Sequence, residues 1–184
     1  MAERIAVHGA SGSGKTTLAT TLAARLGLER TELDALFHQP GWTTLPTEAF
    51  RDRVSRVVAG ERWVVDGNYR QVRDLVWARA DLIVVLDPPR RTVMRQLLTR
   101  TVVRGATRRE LWNTNRESLR NLVSRDADRN VVLWSWRTMH RYHGEVQSEA
   151  RQEAPHARLA VVHDRRAAER LVEELAGGSR PAPG

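Results

Sequence analysis

The sequence contains no cysteine, and no stretch of it approaches the roughly 18 consecutive apolar residues that cross a membrane. Without cysteine there is neither a disulfide framework nor a thiolate metal site, which fits a reducing compartment. The early apolar run is interrupted by glycines, so no signal peptide is expected. These absences predict a soluble cytoplasmic protein with no membrane partner.

Lysine is almost absent as well. Lys15 is the only lysine of the chain, although Lys and Arg together number 30. It lies in the stretch Gly9–Thr16, GASGSGKT, which fits G-x-x-x-x-G-K-[ST] at every fixed position. Residues 4–8 before it are typical of a buried strand, and residues 16–26 after it of an amphipathic helix ending at Gly27. Retention of a compact ammonium among so many arginines favours a phosphate-binding loop over a chance glycine turn.

The loop supplies the groups that a nucleotide phosphate needs. Glycines let consecutive backbone N–H groups turn toward the anion, and the helix N-terminus adds partial positive charge. In this pattern Lys15 reaches the β- and γ-phosphates, and the Thr16 hydroxyl binds Mg²⁺. ATP and Mg²⁺ are therefore the predicted cofactors, with GTP in place of ATP left open. The predicted nucleotide-binding residues are Gly9, Ser11, Gly12, Ser13, Gly14, Lys15, Thr16 and Thr17.

Strand and helix patterns alternate along the rest of the chain, which predicts one α/β domain over residues 1–176 and a disordered tail over 177–184. The predicted strands are 4–8, 30–34, 62–70 (running out into a polar loop), 81–87 and 158–162. The predicted helices are 16–26, 47–59, 71–79, 90–103, two within 111–150, and one through Leu175 that Asp164 caps. Trp112, Trp134 and Trp136 are interpreted as core residues.

Two carboxylates, Asp34 and Asp66, are predicted at the carboxyl ends of strands, where parallel sheets bind their ligands. We predict that Asp66 holds Mg²⁺ opposite the phosphate loop, with Gly67 allowing a close backbone approach. The alternative role of Asp66 is to cap the helix at 71–79. The aromatic loop 37–42 and the helix after it lie between Asp34 and Asp66 in the sequence, and both could cover an acceptor. Trp42 is interpreted either as packing under this loop or as lining a pocket.

Arginine is concentrated between residues 90 and 141, with thirteen arginines against four acidic residues. Solvated helix faces account for most of these arginines, and a few are predicted to contact phosphate. The helix from residue 90 is predicted to end at a glycine hinge at Gly105, and Thr107 with Glu110 forms a capping box that starts the next helix. We predict a mobile lid over about residues 100–125.

Several segments resemble small phosphate-loop kinases of the adenylate kinase and shikimate kinase type. Most similar are the adenylate-kinase-related proteins labelled "topology modulation protein". The segments that carry this likeness are Glu32–Leu36, Pro40–Trp42, Val65–Tyr69, Leu86–Pro89 and Leu111–Leu119. The resemblance implies a P-loop NTPase three-layer sandwich, with a five-stranded parallel sheet of order 2-3-1-4-5, helices on both faces and a helical lid.

The resemblance also implies roles for single residues. Asp66, Gly67 and Arg70 match an Asp-Gly-x-x-Arg segment of adenylate kinases, in which the Asp lies near Mg²⁺ and the Arg on the acceptor phosphate. Here Asn68-Tyr69 replaces the usual Phe-Pro. Asp34 instead matches the acceptor-side Asp of shikimate and gluconate kinases. The resemblance further implies that the catalytic arginines of the lid are Arg100, Arg104 and Arg108.

The predicted function is therefore ATP-dependent phosphoryl transfer to a small acceptor, with a nucleotide or nucleoside as the leading choice. Transfer to a non-nucleotide hydroxylated metabolite is the first alternative. A nucleotide-dependent regulatory protein whose basic region contacts nucleic acid is the second. The sequence leaves the oligomeric state open.

Overall fold

A computed structural model describes residues 2–107, 113, 136 and 144–177 of the chain. Its strands are β1 (Arg4–Gly9), β2 (Glu29–Glu32), β3 (Trp63–Asp66), β4 (Leu82–Leu86) and β5 (Arg158–Val162). Its helices are α1 (Lys15–Leu26), α2 (Leu33–Phe37), α3 (Thr47–Val58), α4 (Arg70–Trp77), α5 (Arg90–Thr107), α6 (Glu145–Glu153) and α7 (Arg165–Gly177). A short 3₁₀ turn, Pro40–Trp42, follows α2. No helix in these described ranges is long and apolar enough to cross a membrane.

The five strands form one parallel sheet of order β2-β3-β1-β4-β5, as predicted. The central strands β1 and β4 are almost entirely buried because helices cover both faces of the sheet. One core contains side chains of α1 and α7, and the other contains side chains of α3, α4 and α6. This is the predicted three-layer sandwich, and it places the loop after β1 at the middle of the carboxyl edge.

The second strand is shorter than predicted. It ends at Glu32, and Asp34 lies in the first turn of α2. The helix begins early because Leu33 turns into the core and packs against Gly67. Asp34 therefore still lies at the carboxyl edge of the sheet, but a helix presents it.

The predicted hinge at Gly105 is wrong, because α5 runs through this residue to Thr107. A single glycine costs a helix only about 1 kcal/mol, which its helix-forming neighbours offset. The proposed capping box depends on Glu110, which lies outside the described residues, as does most of the proposed lid. Most of the arginine-rich segment beyond residue 107 also lies outside the described residues.

Three further assignments are settled by the structure. Trp136 is not a core residue, since 51% of it is exposed and the Arg90 guanidinium lies 5.6 Å from its ring; Trp112 and Trp134 are outside the described residues. Asp66 does not cap the following helix, because α4 begins at Arg70 after Tyr69. Asp164 does cap α7, accepting a hydrogen bond of 2.7 Å from the Ala167 N–H.

Candidate active site

The loop between β1 and α1 packs closely against the rest of the protein. Gly12 has φ of 85°, and a Cβ at this position would lie 2.9 Å from both the Leu97 Cβ and the Val93 carbonyl oxygen. Any side chain would therefore push the loop away from α5. The loop is held compact by a hydrogen bond of 3.1 Å from the Ser13 N–H to the Ala10 carbonyl.

The chemistry of this loop fits a bound phosphate. Gly14 precedes α1 without a side-chain cap, and the first turn of the helix has no acidic residue, so its N–H groups are left for an anion. The Ser13 hydroxyl is buried and has no hydrogen-bond partner among the described residues. Lys15 lies over the same loop, where its ammonium donates to the Ala10 carbonyl at 3.3 Å. These groups form a concave, donor-rich cradle.

Charged side chains of several other elements act on Lys15. Burial lowers the pKa of Lys15, while the carboxylates of Asp34 and Asp66 act in the opposite direction and Arg100 adds to the lowering. Arg100, from α5, also donates a hydrogen bond of 2.8 Å to the Ser11 hydroxyl in the loop. Asp34, Asp66 and Arg100 thus all act on the charge of Lys15, and their catalytic roles remain predictions.

Asp66 is a buried carboxylate with an arginine partner. Its side chain is 2% exposed, and one guanidinium nitrogen of Arg30 lies 3.2 Å from each carboxylate oxygen. Burial raises the pKa of Asp66, and the charge of Arg30 partly offsets this effect. No group of three metal-ligating side chains occurs among the described residues. A Mg²⁺ ion would therefore need phosphate oxygens and water besides Asp66 and Thr16.

Asp34, in the first turn of α2, is the centre of a polar cluster. The Tyr69 hydroxyl donates to Asp34 Oδ1 at 2.6 Å and lies 3.3 Å from Nε2 of His38. Burial, followed by the charge of Asp34, raises the pKa of Tyr69, so its phenol stays protonated and keeps donating. Trp42 packs edge-on against His38 and is 41% exposed, so it lines the loop surface as well as packing under it.

Arg70 lies apart from these groups. It is the first residue of α4, its side chain is 67% exposed, and its guanidinium is 3.6 Å from the Glu149 carboxylate in α6. Glu149 also pairs with the buried Arg73. The acceptor-phosphate role of Arg70 therefore remains a prediction. Arg104 belongs to α5, and Arg108 lies outside the described residues.

A buried histidine lies directly before the phosphate-binding loop. His8 accepts a hydrogen bond of 2.8 Å from the Trp77 indole N–H, which requires a neutral imidazole. Burial lowers the pKa of His8 to about 3, and the nearby charges of Arg73 and Lys15 contribute to the lowering.

Solved structures of small kinases are similar to this chain over nearly its whole length. A shikimate kinase from Acinetobacter baumannii, in complex with shikimate, aligns with a TM-score of 0.54 and 18% identity, covering 97% of this chain and 96% of its own. A gluconokinase from Sinorhizobium meliloti aligns with a TM-score of 0.50 and 19% identity, covering 97% and 98%. A sugar kinase from Janibacter sp. aligns with a TM-score of 0.50 and 21% identity, covering 96% and 94%.

The chain has the fold of these kinases. Because these structures are only 18 to 21% identical to this chain, the similarity shows a shared fold and nothing beyond it. No protein-family model and no curated protein sequence matches the chain. The likeness to "topology modulation protein" therefore remains a prediction from the sequence.

Three contacts of the site were not predicted. They are the pairing of Arg30 with Asp66, the bond from Tyr69 to Asp34, and the bonds of Asn68 to Gly9 described below. For Asn68 and Tyr69, the one signal in the sequence was their place in the chain. Both are polar residues that follow a strand ending beside the phosphate-binding loop.

Proposed function

We propose that the protein is an ATP-dependent phosphotransferase whose acceptor is a small hydroxylated metabolite. The observation that carries this proposal is the position of Lys15. Its ammonium lies over the phosphate-binding loop and within electrostatic reach of the two strand-edge carboxylates Asp34 and Asp66. Phosphoryl transfer needs this combination of a phosphate cradle, a cation on the transferring charge and carboxylates for metal and acceptor.

Each group has a defined part in such a reaction. The acceptor hydroxyl oxygen forms a bond to the γ-phosphorus, the bond from this phosphorus to the bridging oxygen breaks, and ADP leaves. Asp34 positions the hydroxyl and accepts its proton, while Lys15 and Arg100 stabilise the charge on the phosphoryl oxygens. Thr16 and Asp66 would hold Mg²⁺, which neutralises charge on the β- and γ-phosphates when bound.

The acceptor side favours a hydroxylated metabolite over the nucleotide that the sequence analysis favoured. Asp34 is half-buried and oriented by Tyr69, whereas Arg70 is exposed and faces Glu149. A carboxylate suits a hydroxyl group, and a guanidinium suits a phosphate. Two of the similar folds belong to proteins named gluconokinase and shikimate kinase, which supports the same choice. A nucleoside monophosphate is the second candidate, on the Asp66-Gly67-x-x-Arg70 match.

The test is an ATP-consumption screen over hydroxylated acids, sugars, nucleosides and nucleoside monophosphates, with product mass measured. We expect acceptor-dependent ADP formation with a hydroxylated acid or sugar. A hit among nucleoside monophosphates alone would favour the second candidate. Absence of ATP binding by the wild-type protein would contradict the proposal as a whole.

The two acceptor classes predict opposite mutational effects. For a hydroxylated acceptor, Asp34→Asn should lower kcat by about 10²-fold or more, because the amide cannot take the proton. Its Oδ1 still accepts the Tyr69 hydrogen bond, so the fold should be retained. Arg70→Ala should then leave kcat and both KM values within about twofold, because its exposed pair with Glu149 contributes little. The reverse order in steady-state kinetics would identify a phosphorylated acceptor.

Arg100 offers a separate test of the donor side. Arg100→Gln should raise the KM for ATP and lower kcat by about 10-fold or more, because a charged donor next to Ser11 is lost. The matched control is Arg56→Gln, which removes an exposed arginine of α3 that pairs with Asp52 of the same helix. Equal kinetics for the two variants would show that Arg100 has no part in binding phosphate.

A further inference from the structure

Strand β3 separates from β1 shortly before the phosphate-binding loop begins. Their backbone pairing ends at Val7 and Asp66, and the Gly67 N–H then donates to the Val7 carbonyl at 3.3 Å. A Cβ at Gly67 would lie 2.6 Å from the Leu33 Cβ, so only glycine lets α2 pack here. The chain turns away from the sheet at this residue, before it reaches the level of Gly9.

The side chain of Asn68 continues the pairing beyond this point. Its Oδ1 accepts a hydrogen bond of 3.2 Å from the Gly9 N–H, and its Nδ2 donates one of 2.6 Å to the Gly9 carbonyl. A side-chain amide carries the same C=O and N–H groups as a peptide bond. Asn68 therefore replaces the missing backbone partner of Gly9, the residue at which the phosphate-binding loop begins.

Tyr69, the next residue, contacts the proposed acceptor side of the site. Tyr69 holds Asp34, the proposed acceptor-side carboxylate, through the 2.6 Å hydrogen bond. We propose that Asn68 is a positioning residue that fixes where the phosphate-binding loop leaves β1. Together with Tyr69, it fixes the distance between the phosphate-binding loop and Asp34. The effect on nucleotide binding rests on the proposed function, whereas the effect on the loop itself does not.

The first experiment is hydrogen exchange on the full-length protein without ligand, comparing the wild type with Asn68→Ala. Exchange in peptides covering residues 9–16 should become about tenfold faster, because Gly9 loses both of its partners on this side. Exchange in β5, at residues 158–162, should stay unchanged. Unchanged exchange at residues 9–16 would overturn the proposal, and so would equal acceleration across the whole sheet, which would show a general loss of stability.

A second variant keeps the proposal testable if Asn68→Ala does not fold. Asn68→Asp is nearly the same size and keeps an acceptor for the Gly9 N–H, but it places an oxygen against the Gly9 carbonyl. It should accelerate exchange in the same peptides. If it exchanges at the wild-type rate, the donated bond to Gly9 does not position the loop, and the proposal fails.

The third measurement is ATP affinity by calorimetry in the presence of Mg²⁺. Asn68→Ala should bind ATP at least tenfold more weakly, whereas the matched control Arg56→Gln, at an exposed residue of α3, should bind within twofold of the wild type. Wild-type ATP affinity in Asn68→Ala would overturn the proposal. If the wild-type protein binds no ATP, the proposed function fails, and the exchange data alone decide the role of Asn68.

Discussion

Lys15→Ala is expected to lower phosphoryl transfer by at least about 10²-fold, because it removes a positive charge aimed at the transferring group in a partly buried site. Lys15→Arg should lose most of the activity as well, since a planar, branched cation does not fit over the loop where Lys15 meets the Ala10 carbonyl. Steady-state ADP formation with the acceptor found in the screen measures both effects.

The fold should survive these substitutions. Burial lowers the pKa of Lys15, which means that the folded state disfavours its charge, and its ammonium makes one hydrogen bond of 3.3 Å to the loop. We therefore expect an unfolding temperature for Lys15→Ala at or above that of the wild type. Wild-type turnover in either variant would contradict the assignment of this loop to catalysis. If Lys15→Ala loses much thermal stability, the activity of Lys15→Arg decides the question.

The second large effect concerns stability in acid. The pKa of His8 is about 3 in the folded protein, and an unfolded histidine has a pKa of about 6.5. Between these values the unfolded chain binds one more proton than the folded protein at this residue. The free energy of unfolding should therefore fall by up to about 1.4 kcal/mol for each pH unit on acidification, which integrates to about 2 kcal/mol from pH 6.5 to 4.5.

His8→Gln isolates this contribution. Its amide oxygen can still accept the Trp77 indole hydrogen bond, but the side chain does not titrate. The measurement is urea unfolding of both proteins from pH 7.5 to 4.5. The difference between them should be flat above pH 7 and change steadily below 6.5, because all other titrating groups are common to both. Parallel curves over the whole range would show that His8 titrates with the same pKa in the folded and unfolded states, which would contradict a buried neutral imidazole.

The fold was largely predictable because its signals are local. Strand β5 was predicted to the residue, and the glycines, Lys15 and the strand before them located the phosphate-binding loop. A glycine has no fixed meaning in a sequence, however. Gly105 looked like a hinge and lies inside a helix, because the neighbouring turns stabilise the helix through it.

The contacts that shape the site were not predictable in the same way. Asn68 and Gly9 are 59 residues apart, His8 and Trp77 are 69 apart, and Arg30 and Asp66 are 36 apart. Each pair meets only after the sheet has set the order of its strands. Residue type alone does not show which distant backbone group an amide or guanidinium will meet, so the sequence predicted candidate catalytic residues and missed the residues that hold them.

The position of β1 at the middle of the sheet has a consequence during synthesis. This strand is made first, but its neighbours β3 and β4 leave the ribosome about 60 to 80 residues later, and so does Asn68. Until then Gly9 has neither the strands nor the amide that hold it in the finished protein. The phosphate-binding loop is thus translated before the residues that fix its conformation, and such non-local pairing is typical of slow-folding parallel sheets. A nascent chain stalled before residue 68 would carry the complete loop sequence without its ordered conformation.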